Sequence, residues 1–470
     1  MLSSEAPYRE TATVSSKEPT RHTRRRMLSR AIAGVAFEYY DYTVFATFAP
    51  FFAESFFVHG NKVAATLDTL LVFALGFVMR PLGAISAGRL ADRFGRKPVM
   101  MAALGIGASG SLAIAVTPTF HTIGVAAVII LVVARLSQGL AHGAESISAY
   151  VYTAEIADPK RRAFHCSAYP SALILGVIPA SLLGVILTTF LSSEAMNTWG
   201  WRIPFAIGAL YGFFIVVIRR GVKEPETYLQ HREQALSEDR GYWRNVWEYR
   251  RTVGSLFLLW PAFALAFYTL AVGFTEFAIT HLDAEPNDAF WAGLVAQVIY
   301  LVALPFWARV SDRRGRRFNY TVALAGLATL AFPLQLMLGP SLWQLLVPMS
   351  IGLLVWAAGT STELAFVNEL IPNRVRAQVM SLPSSIGAVV FGGTAPYLRS
   401  WAEAHGSTFW FTGYVVVVCL IALVATRRLP ETLGRDLARA DAPTGLKQDE
   451  PRSAWSRPKP VSPRPRVLSR

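Results

Sequence analysis

The chain has 470 residues, 53% of them hydrophobic and only 16% charged, against about 25% charged in soluble domains. A deficit of that size over so long a chain excludes an ordinary soluble enzyme and points to a protein that crosses a bilayer many times. The net charge of +14 collects in particular connections and at the two tails, which membrane topology explains and nucleic-acid binding does not.

The first 28 residues are polar, carry Glu5, Glu10 and Glu18, and contain no apolar run, so a cytoplasmic tail is expected rather than a cleaved signal. Apolar stretches long enough to cross a bilayer, about 20 residues each, then follow at 29–52, 64–90, 99–117, 123–150, 164–191 and 203–218. A polar connection over 219–251 separates these from a second set at 253–280, 289–310, 320–338, 342–366, 377–398 and 409–425. The fold class expected is an all-α polytopic membrane protein of twelve transmembrane helices, with domains at 29–218 and 252–429. The Pro-, Arg- and Ser-rich residues 430–470 read as a disordered cytoplasmic tail. Cys166 and Cys419 lie far apart in apolar runs and read as buried small hydrophobes.

The first span holds the least expected residues. Glu38 and Asp41 stand three apart in a run of Ala, Val, Phe and Tyr, so they share one helix face. A carboxylate near the bilayer centre costs about 2.5–3.5 kcal/mol on insertion scales. A face with two of them must look into protein or water, and we read the pair as an ion-handling centre.

Basic residues orient the chain. Arg24, Arg25, Arg26 and Arg30 precede the first span, and Arg93, Arg96 and Lys97 follow the second. Lys160, Arg161 and Arg162 follow the fourth, and the alternation continues to Arg427 and Arg428. Both termini and the central connection are therefore predicted cytoplasmic.

A repeat joins the halves. Gly88-Arg-Leu-Ala-Asp-Arg-Phe-Gly-Arg-Lys97 lies between spans two and three, and Ala308-Arg-Val-Ser-Asp-Arg-Arg-Gly-Arg-Arg317 lies at the equivalent place in the second half. Asp92, Arg93, Gly95 and Arg96 map onto Asp312, Arg313, Gly315 and Arg316. A second pair agrees, because Glu155 precedes Arg162 by seven residues and Glu369 precedes Arg376 by seven. Two six-helix bundles related by duplication follow. The glycines supply permissive turn dihedrals. The aspartates can accept hydrogen bonds from a helix N-terminus or an arginine. Contacts of that kind can form in one conformation and break in another, so Gly88, Asp92, Arg93, Gly95, Arg96, Asp312, Arg313, Gly315, Arg316, Glu155, Arg162, Glu369 and Arg376 are candidate latch residues.

These loops resemble the signature of the major facilitator superfamily. Within it, Glu38-Tyr-Tyr-Asp41, Arg80-Pro-Leu-Gly83, Trp199-Gly-Trp-Arg-Ile-Pro204 and Phe391-Gly-Gly-Thr-Ala-Pro396 are similar to segments of the metabolite:proton symporter family, carriers of organic acids, shikimate, proline and betaine. The chain departs from that family at Gly143-Ala144-Glu145, where Gly-Gly-Glu is usual, and at Tyr39, where Trp is usual. As a set, these motifs imply by resemblance a bacterial inner-membrane symporter that imports a small organic acid by rocking two bundles about a central site.

The resemblance places Asp41 at the first-span acid of related proton symporters and Arg135 at its fourth-span partner. Withdrawing an arginine from a carboxylate to a substrate anion favours protonation of the acid, which is a physical basis for coupling. Glu38, Asp41 and Arg135 are the expected proton-coupling residues. Arg135 is also the leading anion ligand, since a guanidinium reads a carboxylate bidentately. Gln138, Tyr42, Glu276 and Glu363 complete the candidate substrate site, the last two as isolated acids in apolar spans. Arg80 is expected to snorkel toward the cytoplasmic end, and His142, Glu145 and His281 to lie near the surfaces or to make local hydrogen bonds. No phosphate-cradling loop, zinc spacing or nucleophile elbow occurs. The expectation is therefore no enzyme, no metal and no cofactor beyond the proton as coupling ion, with a small molecule and the lipid bilayer as partners and a monomeric state. The rival functions are an efflux antiporter of amphipathic compounds and a non-transporting membrane sensor.

Overall fold

In the computed structural model of the chain, residues 21–58, 61–94, 96–155, 157–220, 242–372 and 375–435 are described. They form twelve helical rods in two bundles of six. In the first bundle α1 is Arg21–Phe56, α2 is Lys62–Phe94, α3 is Arg96–Val116 and α4 is Val125–Glu155. A helical turn at Arg162–Cys166 leads into α5, Ala168–Phe190, and α6 is Arg202–Arg220.

In the second bundle α7 is Arg250–Phe267, prolonged through Tyr268–Val272 and Phe274–His281. Next come α8, Pro286–Arg314, α9, Arg316–Leu336, and α10, Leu342–Leu370. The rod α11 is Arg376–Gly387, prolonged through Ala388–Gly393 and Ala395–Ala404, and α12 is Thr408–Arg428.

Local chemistry sets several of these boundaries. Gly315, at φ +104°, turns α8 into α9 with one residue, a conformation that a side chain would strain. Ser341 and Gln344 form a reciprocal capping box at the start of α10, satisfying backbone N–H groups that have no partner inside the helix.

Each expected span coincides with a helix to within a few residues. Among the described residues, nine helices are long and apolar enough to cross a membrane. A tenth is added if Ser193–Gly200 and Arg202–Val217, which meet at 40°, count as one span. The two rods that fall short are α1, which carries Glu38, Asp41 and a tyrosine cluster, and α9, which opens with Arg316, Arg317 and Asn319. Two interruptions lie beyond the expectation: α7 and α11 both widen into a π turn, at Tyr268–Val272 and Ala388–Gly393. Such turns release backbone groups and often mark functional positions.

Of the predicted central connection, residues 221–241 lie outside the described residues, while Tyr242–Glu248 is helical and docks on α11. Asn245 donates to Gln378 (2.7 Å), and the Tyr242 and Ser381 hydroxyls lie 3.0 Å apart. The predicted disordered tail begins too early at 430. Residues up to Arg435 fold back onto the bundle, held by contacts described below, and 436–470 lie outside the described residues.

Within the first bundle, α2 and α4 are pressed together backbone to backbone. A Cβ added at Gly139 would fall on the carbonyl of Gly76, at Gly143 on that of Arg80, and at Gly83 on that of Leu140. Small residues permit such closeness where no hydrophobic effect drives helices together. This contact positions the polar face of α4, because Arg135, Gln138 and His142 sit three and four residues apart along it and so share a side of the helix. Gly139→Val should force the two backbones apart, at about 1–3 kcal/mol or more for overpacking. The expected result is a melting temperature several degrees lower, or loss of the monodisperse species, in detergent size-exclusion thermal melts.

Candidate functional site

The site forms where α1, α3 and α4 meet. Asp41 is 1% exposed. Its carboxylate accepts hydrogen bonds from the Ser111 hydroxyl of α3 and from Gln138 Nε2 of α4, the latter at 2.9 Å. Gln138 Nε2 also lies 2.9 Å from Ser111 Oγ. Two groups from two other helices therefore close on one carboxyl of α1 in the interior of the first bundle.

Arg135, fully buried, donates from Nη1 to Gln138 Oε1 at 2.8 Å. Its guanidinium lies 4.4 Å from the Tyr42 ring centroid and 4.3 Å from that of Phe45, distances at which a cation is attracted to an aromatic face. Nε and Nη2 of Arg135 have no hydrogen-bond partner among the described residues. The expected Asp41–Arg135 ion pair does not form here: Gln138 stands between them, accepting from the arginine and donating to the acid. The physical reason is geometric. Arg135 and Gln138 are one turn apart on α4, and the shorter amide reaches the carboxyl while the longer guanidinium extends along the aromatic rings.

Two further placements correct the sequence reading. Arg80 does not snorkel outward; its guanidinium is 4.2 Å from the centroids of both Tyr42 and Phe77, so Tyr42 lies against two arginines. His142 is not near a surface. It is buried, with Nδ1 3.1 Å from Glu38 Oε1 and Nε2 3.6 Å from Asp41 Oδ2. Of this cluster, the sequence reading passed over Ser111 and placed His142 near a surface or in local hydrogen bonds. His142 was legible as the residue one turn beyond Gln138 on the same face, whereas Ser111 carries no signal of its own within α3.

The other candidate acids lie elsewhere. Glu276, fully buried on the prolonged part of α7, accepts from the Ser400 hydroxyl at 3.1 and 3.3 Å. Beside it Arg399 stacks 3.7 Å from the Phe277 centroid and donates to the Thr269 carbonyl at 3.3 Å. Glu276 is thus in a separate cluster of the second bundle. Glu363 is half-buried on α10, within electrostatic range of Tyr150, Tyr169, Tyr300 and Tyr320. Tyr169 also lies within range of Glu38. Aromatic contacts close the seam between bundles here: Tyr39 on Phe267 (centroids 5.5 Å) and Phe77 on Tyr268 (5.1 Å).

At the end of the molecule bearing the α4–α5, α8–α9 and α10–α11 connections, Glu369 gathers donors from both bundles. Arg162 Nη1 donates to it at 2.8 Å, Arg316 Nε and Nη2 at 3.1 Å each, and the Thr432 hydroxyl at 2.6 Å. Asp312 accepts from Arg316 Nη1 at 2.8 Å and from the backbone N–H groups of Ala163 and Phe164 at 3.0 Å each. It therefore holds the start of a first-bundle helix from the second bundle, where the helix dipole favours a carboxylate. Glu431 caps α9 in the same way, accepting from the N–H groups of Arg316 (2.9 Å) and Arg317 (3.1 Å). Arg162 also donates to the Arg435 carbonyl at 2.8 Å.

Arg376 is buried and donates to the Ile371 carbonyl at 3.2 Å, while Arg313 is exposed. Of the remaining latch candidates, Gly95 lies outside the described residues, as do the side-chain positions of Gly88, Asp92, Arg93, Arg96 and Glu155. At the opposite end the bundles also meet: Asn287 Nδ2 of α8 donates to the Thr188 and Thr189 hydroxyls of α5 at 3.1 and 2.9 Å. The seam is bridged at both ends.

The family model for the Major Facilitator Superfamily matches residues 31–396. The alpha-ketoglutarate permease of Escherichia coli (strain K12) is 31% identical over 423 residues, 89% of this chain and 97% of that protein. The citrate-proton symporter of Salmonella typhi is 29% identical over 419 residues, 88% of this chain and 95% of that protein. Among solved structures, the partially occluded inward-open xylose transporter XylE from E. coli superposes with a TM-score of 0.68 at 18% identity, covering 88% of this chain and 99% of that one.

Glu369→Gln should leave the Arg162 and Arg316 guanidinium groups buried without their shared carboxylate, a loss of about 3–5 kcal/mol for a broken buried pair. Opening at this end would expose Cys166, a buried free thiol in the helix that Asp312 caps. In a Cys419→Ser background, alkylation of Cys166 should be at least about tenfold faster in Glu369→Gln than with Glu369 intact.

Proposed function

The chain belongs to the Major Facilitator Superfamily, and from that premise we infer that it is a secondary transporter carrying a small organic acid together with a proton by alternating access. Its relatives are named for alpha-ketoglutarate and citrate, both polycarboxylates. The transporter is not an enzyme, and the proton is its coupling ion. We assign it to the bacterial inner membrane with both termini cytoplasmic, on the alternation of basic loops.

The observation that carries the residue-level reading is the buried Asp41 carboxyl, joined through Gln138 to an arginine with unused donors. The first-bundle site holds two guanidinium groups, Arg80 and Arg135, and two carboxyls, Glu38 and Asp41. With all four ionised and the His142 imidazole neutral, the charges balance. An uncompensated charge in so dry a place costs several kcal/mol. A substrate carboxylate that engages the free Nε and Nη2 of Arg135 adds a negative charge, and taking up a proton on a carboxyl restores the balance. Anion and proton therefore favour one another's binding, which is the thermodynamic content of symport.

The hydrogen bonds support one path for this coupling. Gln138 accepts from Arg135 and donates to Asp41, so a guanidinium that turns toward a substrate carboxylate releases the amide, and the donor set around Asp41 changes with it. Glu38, on the seam side, is a second acid of the same unit. Glu363 faces the seam from the other bundle and is suited to reading a hydroxyl or a proton on the substrate. Glu276 is a structural acid of the second bundle in this reading, since Ser400 and the α7–α11 contact account for its position.

Asp41→Asn should abolish accumulation of alpha-ketoglutarate or citrate driven by an inward pH gradient in proteoliposomes, with a fall of at least about a hundredfold. Exchange of internal for external substrate should persist. Unchanged gradient-driven accumulation would exclude Asp41 from coupling. Arg135→Gln should weaken substrate affinity by about 2–5 kcal/mol, measured as the half-saturating concentration for exchange. An Arg135→Gln protein with wild-type affinity would remove the arginine from the substrate site.

A further inference from the structure

We propose that His142 carries the proton between Glu38 and Asp41, as a relay residue of the coupling step; the inference rests on the symport reading above. His142 stands on α4 one turn beyond Gln138, and its side chain is 5% exposed. Its two ring nitrogens address different acids: Nδ1 lies 3.1 Å from Glu38 Oε1, and Nε2 lies 3.6 Å from Asp41 Oδ2. An imidazole can accept a proton on one nitrogen while it releases one from the other.

The two acids it links have different surroundings. Asp41 lies inside the first bundle, bound by Ser111 of α3 and Gln138 of α4, and α6 passes so close that a Cβ at Gly208 would be 3.5 Å from its Oδ1. Glu38 lies toward the seam, within electrostatic range of Tyr169 on α5 and Tyr268 on α7. The imidazole therefore spans the distance from the seam to the interior. The groups that face it are Glu38, Asp41 and Tyr42 from α1 and Arg80 from α2. Tyr42 meets the ring edge to face at 5.0 Å and holds its plane between the two acids.

In the step, a protonated Glu38 gives its proton to Nδ1 while the proton on Nε2 passes to Asp41 Oδ2. One O–H and one N–H bond break, one N–H and one O–H form, and no electrons are transferred. The net result is a proton moved from Glu38 to Asp41 and an imidazole left in its other tautomer, which the reverse transfer or a ring flip resets. The Nε2–Oδ2 gap exceeds hydrogen-bond length, so the ring must shift by about half an ångström for the second transfer.

The test uses the full chain in proteoliposomes with alpha-ketoglutarate as the probe, comparing gradient-driven accumulation with exchange. His142→Gln retains a hydrogen-bonding group near Glu38 but cannot accept at one atom and release at another. Accumulation should fall at least about tenfold while exchange stays within about a factor of three. In His142→Ala, added imidazole should restore accumulation. Wild-type accumulation in His142→Gln, an equal loss of both activities, or His142→Ala unmoved by imidazole overturns the relay. Wild-type protein that exchanges the probe without responding to the gradient overturns the symport reading instead.

Discussion

A carboxylate inside a bilayer has to find its hydrogen-bond donors on neighbouring helices, and Asp41 takes them from α3 and α4 at once. That requirement explains much of the first bundle. Ser111 and Gln138 must converge on one point, so α3 and α4 cannot slide independently of α1. The backbone contact of α4 with α2 at Gly76, Gly83, Gly139 and Gly143 holds the polar face of α4 against α1. Bulk at any of these positions would move Arg135, Gln138 and His142 together, because one rigid helix carries all three.

The second constraint is the shared carboxylate at the basic end. Glu369 receives donors from Arg162 of the first bundle, from Arg316 of the second, and from Thr432 in the segment after α12. Asp312 adds a backbone tie in the same direction. One acidic residue thus serves loops from two bundles and the chain beyond them. At the other end Asn287 and the α5 threonines supply neutral hydrogen bonds instead. The seam is thus bridged by a charged set of contacts at one end and by a neutral set at the other.

The fold was legible in the chain to a large extent. Apolar length marked the spans, the polar break divided the halves, and the repeated Asp-Arg-x-Gly-Arg located both loops. Within the candidate site, Glu38, Asp41, Arg135 and Gln138 were legible for one reason: polar groups are costly in an apolar run, so their presence needs an account. Tyr42 was a candidate for the substrate site, but its place between Arg80 and Arg135 was not legible. Ser111 resembles any serine that bonds within its own helix. His142 looked like a local or surface histidine, and only its placement against Glu38 and Asp41 of α1 shows that it lies in the interior. The tail boundary at 430 failed for a related reason: Glu431, Thr432 and Arg435 read as polar tail, and nothing in them announces that α9 and Glu369 are within reach.

The sequence by itself determined that the chain crosses a membrane in two repeated halves, and that certain buried charges need partners. Those properties are local, since they follow from transfer free energy and from spacing along one helix. Which partner each charge takes was left to the tertiary structure. Asp41 is served by Ser111 and Gln138 rather than by Arg135, Glu38 and Asp41 meet at His142, and Arg162 crosses to Glu369. Partners of this kind come from different helices, and helix rotation and depth set a hydrogen bond to within a fraction of an ångström, a tolerance that the order of residues along the chain does not specify.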